Sequence, residues 1–407
     1  MEKESYSALS SKNYRTYLCG SILSVLGVWV QRLALGWHAW QLTESTFVVG
    51  MIAAAQFLPL TILTPFFGVL ADRVSTRTAA IVMHIILVIT ATALGLLTVT
   101  GNMTTGWLLT LALLHGIANS AYSPLRHSLI PHLVQKNKFA SAVAINSIIF
   151  NVAGLVGPGI AGVIVAWYGL GAAYFTNAVS YIPAIFILSI LRIAPDDSKP
   201  LSRRPYRVEF LEGLRYAIDH ASIRRILLLA GVGNFFSKGI LELMPAFAVI
   251  VFDGGSNVLA LLMASAGFGA ILSSLLFSSR SLGEQLHSVV VIGAIGAGLS
   301  MVLFAFTSSL LPGMLVVAML GLFSSLVAIA SQTEVQVNVE NHLRGRVMSL
   351  WTITIVGGPA VGAAVAGALA GTIGSTSTSL AFAVMCLLLV AFVGIRKPET
   401  YSREANS

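Results

Sequence analysis

Charge is the scarcest property of this 407-residue sequence. Asp, Glu, Lys and Arg make up 10% of it and hydrophobic residues 56%, whereas about a quarter of the residues in soluble domains are charged. A soluble fold of this composition would lack the polar residues to cover its surface. The net charge is +8, but nucleic-acid recognition needs basic residues gathered on one face. Here they are scattered between apolar runs, which argues against a nucleic-acid partner.

Cysteine and the common catalytic motifs are also nearly absent. Cys19 and Cys386 each lie within an apolar run, and they predict neither a disulfide framework nor a thiolate metal site. No Gly-rich phosphate loop ending in Lys-Ser/Thr occurs, and no span carries His-Glu-x-x-His or Gly-x-Ser-x-Gly. Such motifs support phosphate binding, metal hydrolysis and acyl transfer. The sequence therefore predicts no metal, no cofactor, no direct use of ATP and no enzyme activity.

Long apolar runs dominate the sequence instead. A bilayer core about 30 Å thick is crossed by about 20 helical residues. Twelve such runs are predicted, near 16–41, 47–71, 78–100, 106–125, 140–167, 170–191, 225–251, 257–278, 286–306, 311–332, 347–370 and 378–395. The first run is too long for the core of a cleavable signal peptide, so we expect it to remain as a span. The predicted fold class is all-α and integral to the membrane.

The positions of the basic residues predict the orientation. If the N-terminus is cytoplasmic, all of the 24 Lys and Arg residues except Arg32 and Lys238 lie in inner loops, the central linker or the termini. The outer loops then contain no Lys or Arg, and their only charged residues are the acids Glu44 and Asp253. Positive charge is retained on the cytoplasmic side of short loops. This bias predicts cytoplasmic termini and supports the count of twelve spans.

A polar segment near the middle of the chain divides it into two halves. Gly157-Pro158 in the fifth span recurs as Gly358-Pro359 in the eleventh, and internal repeats with a substrate site between them are common in transporters. We predict two pseudo-symmetric six-helix bundles and a cytoplasmic linker that carries an amphipathic helix on the membrane surface; a solvated connector is the alternative. The predicted domains are residues 1–192, the linker 193–224, and 225–407 with a short cytoplasmic tail.

The loop between the second and third spans carries the most specific motif. It reads Gly68-Val69-Leu70-Ala71-Asp72-Arg73-Val74-Ser75-Thr76-Arg77 and resembles the loop signature of the major facilitator superfamily. Further blocks resemble its enterobactin-exporter-like, or transmembrane secretion effector, branch: Gln31-Arg32, Gln56-Phe57-Leu58-Pro59, Ala144-Ile145-Asn146-Ser147 and Leu343-Arg344-Gly345-Arg346-Val347-Met348-Ser349-Leu350. The resemblance covers about residues 10–395. It implies the major facilitator fold, a bacterial cytoplasmic (inner) membrane location and a monomer.

The resemblance also implies mechanical roles for two sets of residues. The loop residues Gly68, Asp72, Arg73 and Arg77 are expected to act as a conformational latch, with the Asp72 carboxylate accepting hydrogen bonds at a helix N-terminus. The alternative is that the two arginines are only positive-inside anchors. Gly157-Pro158 in the fifth span resembles a Gly-Pro motif associated with antiporters, and Gly358-Pro359 is its repeat in the second half. Both are expected to act as hinge and packing positions, because proline bends a helix and glycine lets helices approach closely; close packing alone is the alternative.

Three charged residues are predicted to lie deep in the membrane. They are Arg32 in the first span and Lys238 and Glu242 in the seventh. A charge at the bilayer centre costs at least about 2.5 to 3.5 kcal/mol, so it usually faces a water-filled cavity or a partner. Lys238 and Glu242 are four residues apart and can pair on one helical face. We assign Glu242 to proton coupling, and Arg32 and Lys238 to the substrate cavity, where Arg32 would favour an anionic or catecholate-like cargo.

Uncharged polar residues complete the predicted cavity. His115, Asn119 and Asn234 are assigned to it, although each of them also suits an ordinary hydrogen bond between helices. Glu334, near the cytoplasmic end of the tenth span, is a candidate for the gate.

These features together predict a proton-coupled secondary exporter. It would move a small organic molecule, a siderophore or an amphipathic drug, by alternating access, with protons and membrane lipids as its other partners. Two alternatives stay open: a flippase for lysophospholipids or other lipids, and an importer of an anionic nutrient.

Overall fold

The computed structural model describes residues 7–71, 74–191, 206–278 and 285–394. Before the central linker, the long helices are α1 Lys12–Thr43, α2 Thr46–Ala71, α3 Thr76–Val99, α4 Thr105–Leu133 and α5 Phe139–Ile190. The later ones are α6 Tyr206–Asp219, α7 Ala221–Glu242, α8 Met244–Ile250, α9 Ser256–Ser278, α10 Leu286–Ala305, α11 Leu310–Asn338, α12 Asn341–Thr352, α13 Gly358–Ile373 and α14 Ser375–Gly394. A π-helix, Ile353–Gly357, joins α12 to α13.

The described helices accommodate the twelve predicted crossings. Within the described ranges, nine helices are long and apolar enough to span a membrane, and ten if α7 and α8, which meet at 51°, form one span. α5 has 52 residues, a length of about 78 Å at 1.5 Å per residue and more than twice a bilayer core. Backbone at Gly169 with φ 80° and ψ 175° divides it into two crossings, a conformation that glycine adopts without strain. α4, with 29 residues, is not among these nine but is long enough to cross.

The helices form two groups that pack mainly within themselves. In the N-terminal group, α1 packs on α5, α2 on α4, and α3 on both α4 and α5. In the C-terminal group, α9 and α10 pack on α11, and α7 and α14 pack on each other and on α10. The described residues form an all-helical membrane fold, as the composition predicts.

Two helix pairs make most of the contact between the groups, α2 with α13 and α5 with α9. Glycine permits the close approach in both. A Cβ atom added at Gly267 of α9 would lie 2.7 Å from the Cα of Leu155 in α5, and one at Gly50 of α2 would overlap the carbonyl of Ala363 in α13. Small residues at such positions let helix backbones come together in a membrane.

α6 occupies the place of the predicted amphipathic helix. It packs against α12 and α7, and the Arg346 guanidinium of α12 donates to the Glu212 carboxylate of α6. Ala217 is buried, whereas Leu211 and Ile218 are exposed. One apolar side of α6 therefore contacts the C-terminal group, and contact of the exposed side with lipid remains a prediction.

Candidate transport site

Two of the predicted membrane-depth charges form an ion pair that joins the two groups. Arg32 lies in the middle of α1, and Glu242 is the last residue of α7, directly before the break at Leu243. The Arg32 Nη2 donates to the Glu242 Oε1. The side chains are 25% and 10% exposed, so both charges are largely withdrawn from solvent and compensated by each other.

Aromatic rings complete the surroundings of Arg32. Its Cζ lies 4.9 Å from the ring centroid of Trp29 and 4.7 Å from that of Phe57 on α2. A guanidinium at this distance is attracted by the electrons of the ring face. The Arg32 Nε and the Trp29 Nε1 are buried and have no hydrogen-bond partner within the described part of the chain. The site thus keeps two unused donors beside the ion pair.

The ion pair lies in the wall of a cavity between the groups. Helices from both groups line it, with Gln56 of α2 and Pro158 of α5 facing Met263 of α9 and Pro245 of α8. The cavity measures about 30 Å³, room for one or two water molecules. An organic cargo does not fit in it. The structure therefore shows the site closed around the Arg32–Glu242 pair.

Closure continues beyond the pair, toward the α1–α2 turn. A Cβ at Gly36, one turn after Arg32, would lie 3.0 Å from Pro245, so α1 and α8 touch here. Between Val30 and Trp40 every residue of α1 except Arg32 and Gly36 is buried, whereas Ile22 and Leu23 nearer its start are exposed. The two groups are therefore packed together at the end of the molecule that carries the α1–α2 turn.

The suggested pair between Lys238 and Glu242 is wrong for this conformation, because Glu242 contacts Arg32 instead. Arg32 offers the carboxylate a planar guanidinium already held by two rings, which a lysine ammonium does not match. Lys238 remains within electrostatic range of both charges. It is a third ionisable group near the pair, but it is not among the residues that line the cavity, and its contact with substrate remains a prediction.

The three uncharged candidates do not line the small cavity. His115 Nδ1 lies 3.1 Å from the Thr90 Oγ1, Asn119 Nδ2 donates to the His115 carbonyl at 3.2 Å, and Asn234 Nδ2 donates to the Ala230 carbonyl at 3.0 Å. These bonds stay within one helix group. Their contact with substrate remains a prediction for a more open conformation.

The predicted latch is only partly within the described structure. Asp72 and Arg73 lie outside the described residues, and Gly68 lies in the last turns of α2. Arg77 Nε donates to the Leu188 carbonyl at 2.7 Å, and its Nη2 donates to the Ser189 carbonyl. These carbonyls end α5, where cations are favourable. Arg77 therefore ties α3 to α5 inside the N-terminal group.

The two Gly-Pro positions have different surroundings. A Cβ at Gly157 would lie 2.5 Å from the Trp29 Cβ, so this glycine lets α5 pack on the helix that carries Arg32. Gly358-Pro359 begins α13 directly after the π-helix. Proline has no amide hydrogen for the helix ladder, and π-helical turns often mark functional sites. A hinge role for either position remains a prediction.

A family model described as transmembrane secretion effector matches residues 3–406. The chain belongs to this family. Its relatives are named as transporters or exporters, and one of them, YfiS of Bacillus subtilis, as a transporter of the major facilitator type. The chain is therefore a multi-pass membrane transporter and not an enzyme. The resemblance stated from the sequence motifs is confirmed.

Several relatives of this transmembrane secretion effector have named cargo. The staphyloferrin A transporter of Staphylococcus aureus is 23% identical over 82% of this chain and 84% of its own length. The enterobactin exporter EntS of Salmonella typhi is 26% identical, with coverage of 86% and 84%. The multidrug efflux pump Tap of Mycolicibacterium fortuitum is 23% identical, with coverage of 88% and 89%. Siderophores and drugs are thus the cargo named among these relatives.

A solved structure supports the fold. A bacterial homologue of the lysosomal transporter Spinster, in an inward-facing and unoccupied conformation, superposes with a TM-score of 0.71 at 18% identity and covers 95% of this chain and 97% of its own. The identity is too low to compare cargo. The major facilitator fold is confirmed.

The sequence analysis did not predict that two aromatic rings contact Arg32. Trp29 is three residues before Arg32 and so lies on the same face of α1, a signal that the sequence contains. Phe57 is on another helix, and its contact with Arg32 depends on tertiary packing.

Proposed function

We propose that this transporter is a proton-coupled secondary exporter of a small organic molecule that works by alternating access. The observation that carries the proposal is the Arg32–Glu242 ion pair, which links the two helix groups across a closed cavity. Opening the cavity to cargo must break this pair. Whatever competes for either charge, a cargo or a proton, then controls the equilibrium between closed and open forms.

Arg32 is the proposed cargo-binding cation. A guanidinium between two rings suits a flat, electron-rich anion, because it donates several hydrogen bonds in one plane. Catecholate and carboxylate groups, the metal-binding groups of siderophores, have this character. We therefore rank a siderophore first. An amphipathic drug is second, supported by the name of the Tap relative and by the apolar walls of the cavity.

Glu242 is the proposed proton carrier, and Lys238 its second partner. A cargo that binds Arg32 leaves the Glu242 carboxylate without its partner. Lys238, one turn earlier on α7, can then form an ion pair with this carboxylate. The cargo-loaded carrier then keeps Glu242 ionised. In the empty carrier, a proton on Glu242 removes the charge of the carboxylate and breaks the ion pair with Arg32. The two helix groups can then return to the conformation that binds cargo. Cargo and proton thus load the carrier in different halves of the cycle.

The proposal includes the arrangement of the chain in the membrane. Both termini lie in the cytoplasm and the protein resides in a bacterial inner membrane, with domains at 1–192 and 225–407 and the linker at 193–224. Basic residues on the inner side support this orientation. The packed end near the α1–α2 turn is then the outer one. We propose a monomer, since the cavity is complete within one chain.

Cargo assays in a deletion strain and in everted vesicles test this function. Loss of the protein should lower secreted siderophore, and everted vesicles should accumulate the siderophore only with an acid interior. A protonophore should abolish the accumulation. Uptake of drug but not siderophore would select the second cargo. Accumulation that ignores the proton gradient would refute the proton coupling.

A further inference from the structure

A second pair of ionisable side chains lies inside the C-terminal group. Glu334 is one turn from the end of α11, and His287 is the second residue of α10. The His287 Nδ1 lies 3.9 Å from the Glu334 Oε1, and the side chains are 19% and 9% exposed. A carboxylate withdrawn into a membrane helix bundle is uncommon and generally functional.

Each of the two side chains has a second polar atom that is buried. The Glu334 Oε2 and the His287 Nε2 have no hydrogen-bond partner within the described part of the chain. A buried polar atom without a partner costs about 1 to 3 kcal/mol. Such atoms are positions where a proton or a bridging water binds. The unused atoms therefore point to a ligand of this kind.

In the described part of the chain, the charged neighbours that can be named lie on α7 and α12. Arg225 on α7 acts electrostatically on His287. On α12, Arg346 pairs with Glu212, and the Arg344 Nη2 donates to the Val339 carbonyl at 3.4 Å. α9 and α14, which pack on α11 and α10, contain no Asp, Glu, Lys, Arg or His. Among the described residues, Glu334 and His287 are therefore the acid and the base that face each other between α11 and α10.

We infer that Glu334 and His287 form a second proton-binding site, separate from the Arg32–Glu242 pair. One proton shared between carboxylate and imidazole leaves the pair neutral, and a further proton makes it a cation beside Arg225, so the two groups titrate together. Neither residue lines the cavity at Arg32. The site stays whole within the C-terminal group while the groups separate.

A hydrogen bond links the part of α11 near Glu334 to the helix that leads to Gly358-Pro359. One turn before Glu334, the Ser331 hydroxyl accepts a hydrogen bond from the Trp351 Nε1 at 3.0 Å. Trp351 lies two residues before the π-helix that leads into α13. Glu334 therefore lies one turn from the α11–α12 contact next to this irregular turn. The inference goes beyond the proposed function, because the second site does not involve the proposed cargo and coupling residues. Protonation of Glu334 can be measured without any cargo.

Infrared spectroscopy of the purified, reconstituted protein tests the site. The carbonyl stretch of protonated carboxylic acids is recorded as a function of pH for wild type, Glu334→Gln, Glu242→Gln and the exposed control Glu44→Gln. We expect Glu334→Gln to lose one titrating component that the other two variants retain. In His287→Gln that component should remain and its midpoint should shift.

The experiment distinguishes failure of the second site from failure of the proposed coupling residue Glu242. A wild-type titration curve in Glu334→Gln overturns the second site whatever Glu242 does. If Glu334→Gln does not fold, an unshifted midpoint in His287→Gln overturns it as well. Loss of a component only in Glu242→Gln supports the proposed coupling residue and refutes this second site.

Discussion

At the residue scale, Arg32 is the side chain on which the site depends. It contacts a carboxylate of the other helix group and the faces of two rings of its own group. Removing one member of a buried ion pair is strongly destabilising, by about 3 to 5 kcal/mol, because the other charge is left uncompensated. When a cargo anion replaces Glu242 at Arg32, the carboxylate therefore requires a new partner, and Lys238, one turn earlier on α7, is the proposed one.

The role of Lys238 leads to the first prediction. Lys238→Gln should raise the KM for an anionic cargo at least about tenfold, corresponding to about 1.4 kcal/mol of lost binding. The thermal midpoint of the empty protein should change little, because Lys238 does not pair with Glu242 in this conformation. Uptake kinetics in vesicles and thermal unfolding in detergent measure the two quantities. A lower midpoint with an unchanged KM would make Lys238 structural.

The partner of Glu242 also shows what a single sequence predicts at this scale. The charge itself was predictable, because an acid within an apolar run is visible locally. Its partner lies 210 residues away on α1, and only the packing of the two groups decides between Arg32 and Lys238. Of the two rings at Arg32, Trp29 was predictable because it lies on α1 with Arg32. Phe57 was not, because it lies on another helix.

At the element scale, glycine contacts determine how closely the helices pack. Gly157 and Gly159 lie two residues apart on α5, yet a Cβ at Gly157 would overlap Trp29, whereas one at Gly159 meets no atom within 4 Å. The two positions form a matched pair of test and control. The α1–α5 contact matters because it positions the helix that carries Arg32.

Leucine at these positions gives the second prediction. Gly157→Leu should lower the free energy of unfolding by about 1 to 3 kcal/mol, the usual cost of overpacking, and should reduce export by displacing Trp29. Gly159→Leu should leave both unchanged or raise stability, because leucine is the better helix former. Thermal unfolding in detergent measures the stability of the two variants, and vesicle uptake measures their export. Equal destabilisation by both variants would contradict the packing account.

Arg77 provides the third prediction, on the end of α5. Arg77→Gln should destabilise the protein by about 1 kcal/mol, because two carbonyls at the helix terminus lose a charged donor. Arg15→Gln, at an exposed position on α1, is the matched control and should have no effect. Thermal midpoints of the two variants are compared with wild type. Identical midpoints would leave the positive-inside role as the function of Arg77.

At the scale of the whole molecule, two helix groups meet around a cavity too small for cargo. The twelve crossings were predictable because apolar length is a local property of the chain. The break between α7 and α8, the π-helix before Gly358 and the closed state of the cavity were not, since each depends on contacts between helices. The structure holds one conformation of a cycle, and the proposed cycle requires Glu242 to change partners.

The most direct test compares two modes of transport in everted vesicles. Wild type and Glu242→Gln are assayed for siderophore accumulation driven by a pH gradient and for exchange of labelled against unlabelled siderophore without a gradient. We predict that Glu242→Gln loses the gradient-driven accumulation and retains exchange, which needs no net proton movement. Equal accumulation by both proteins, independent of the gradient, would contradict the assignment of proton coupling to Glu242.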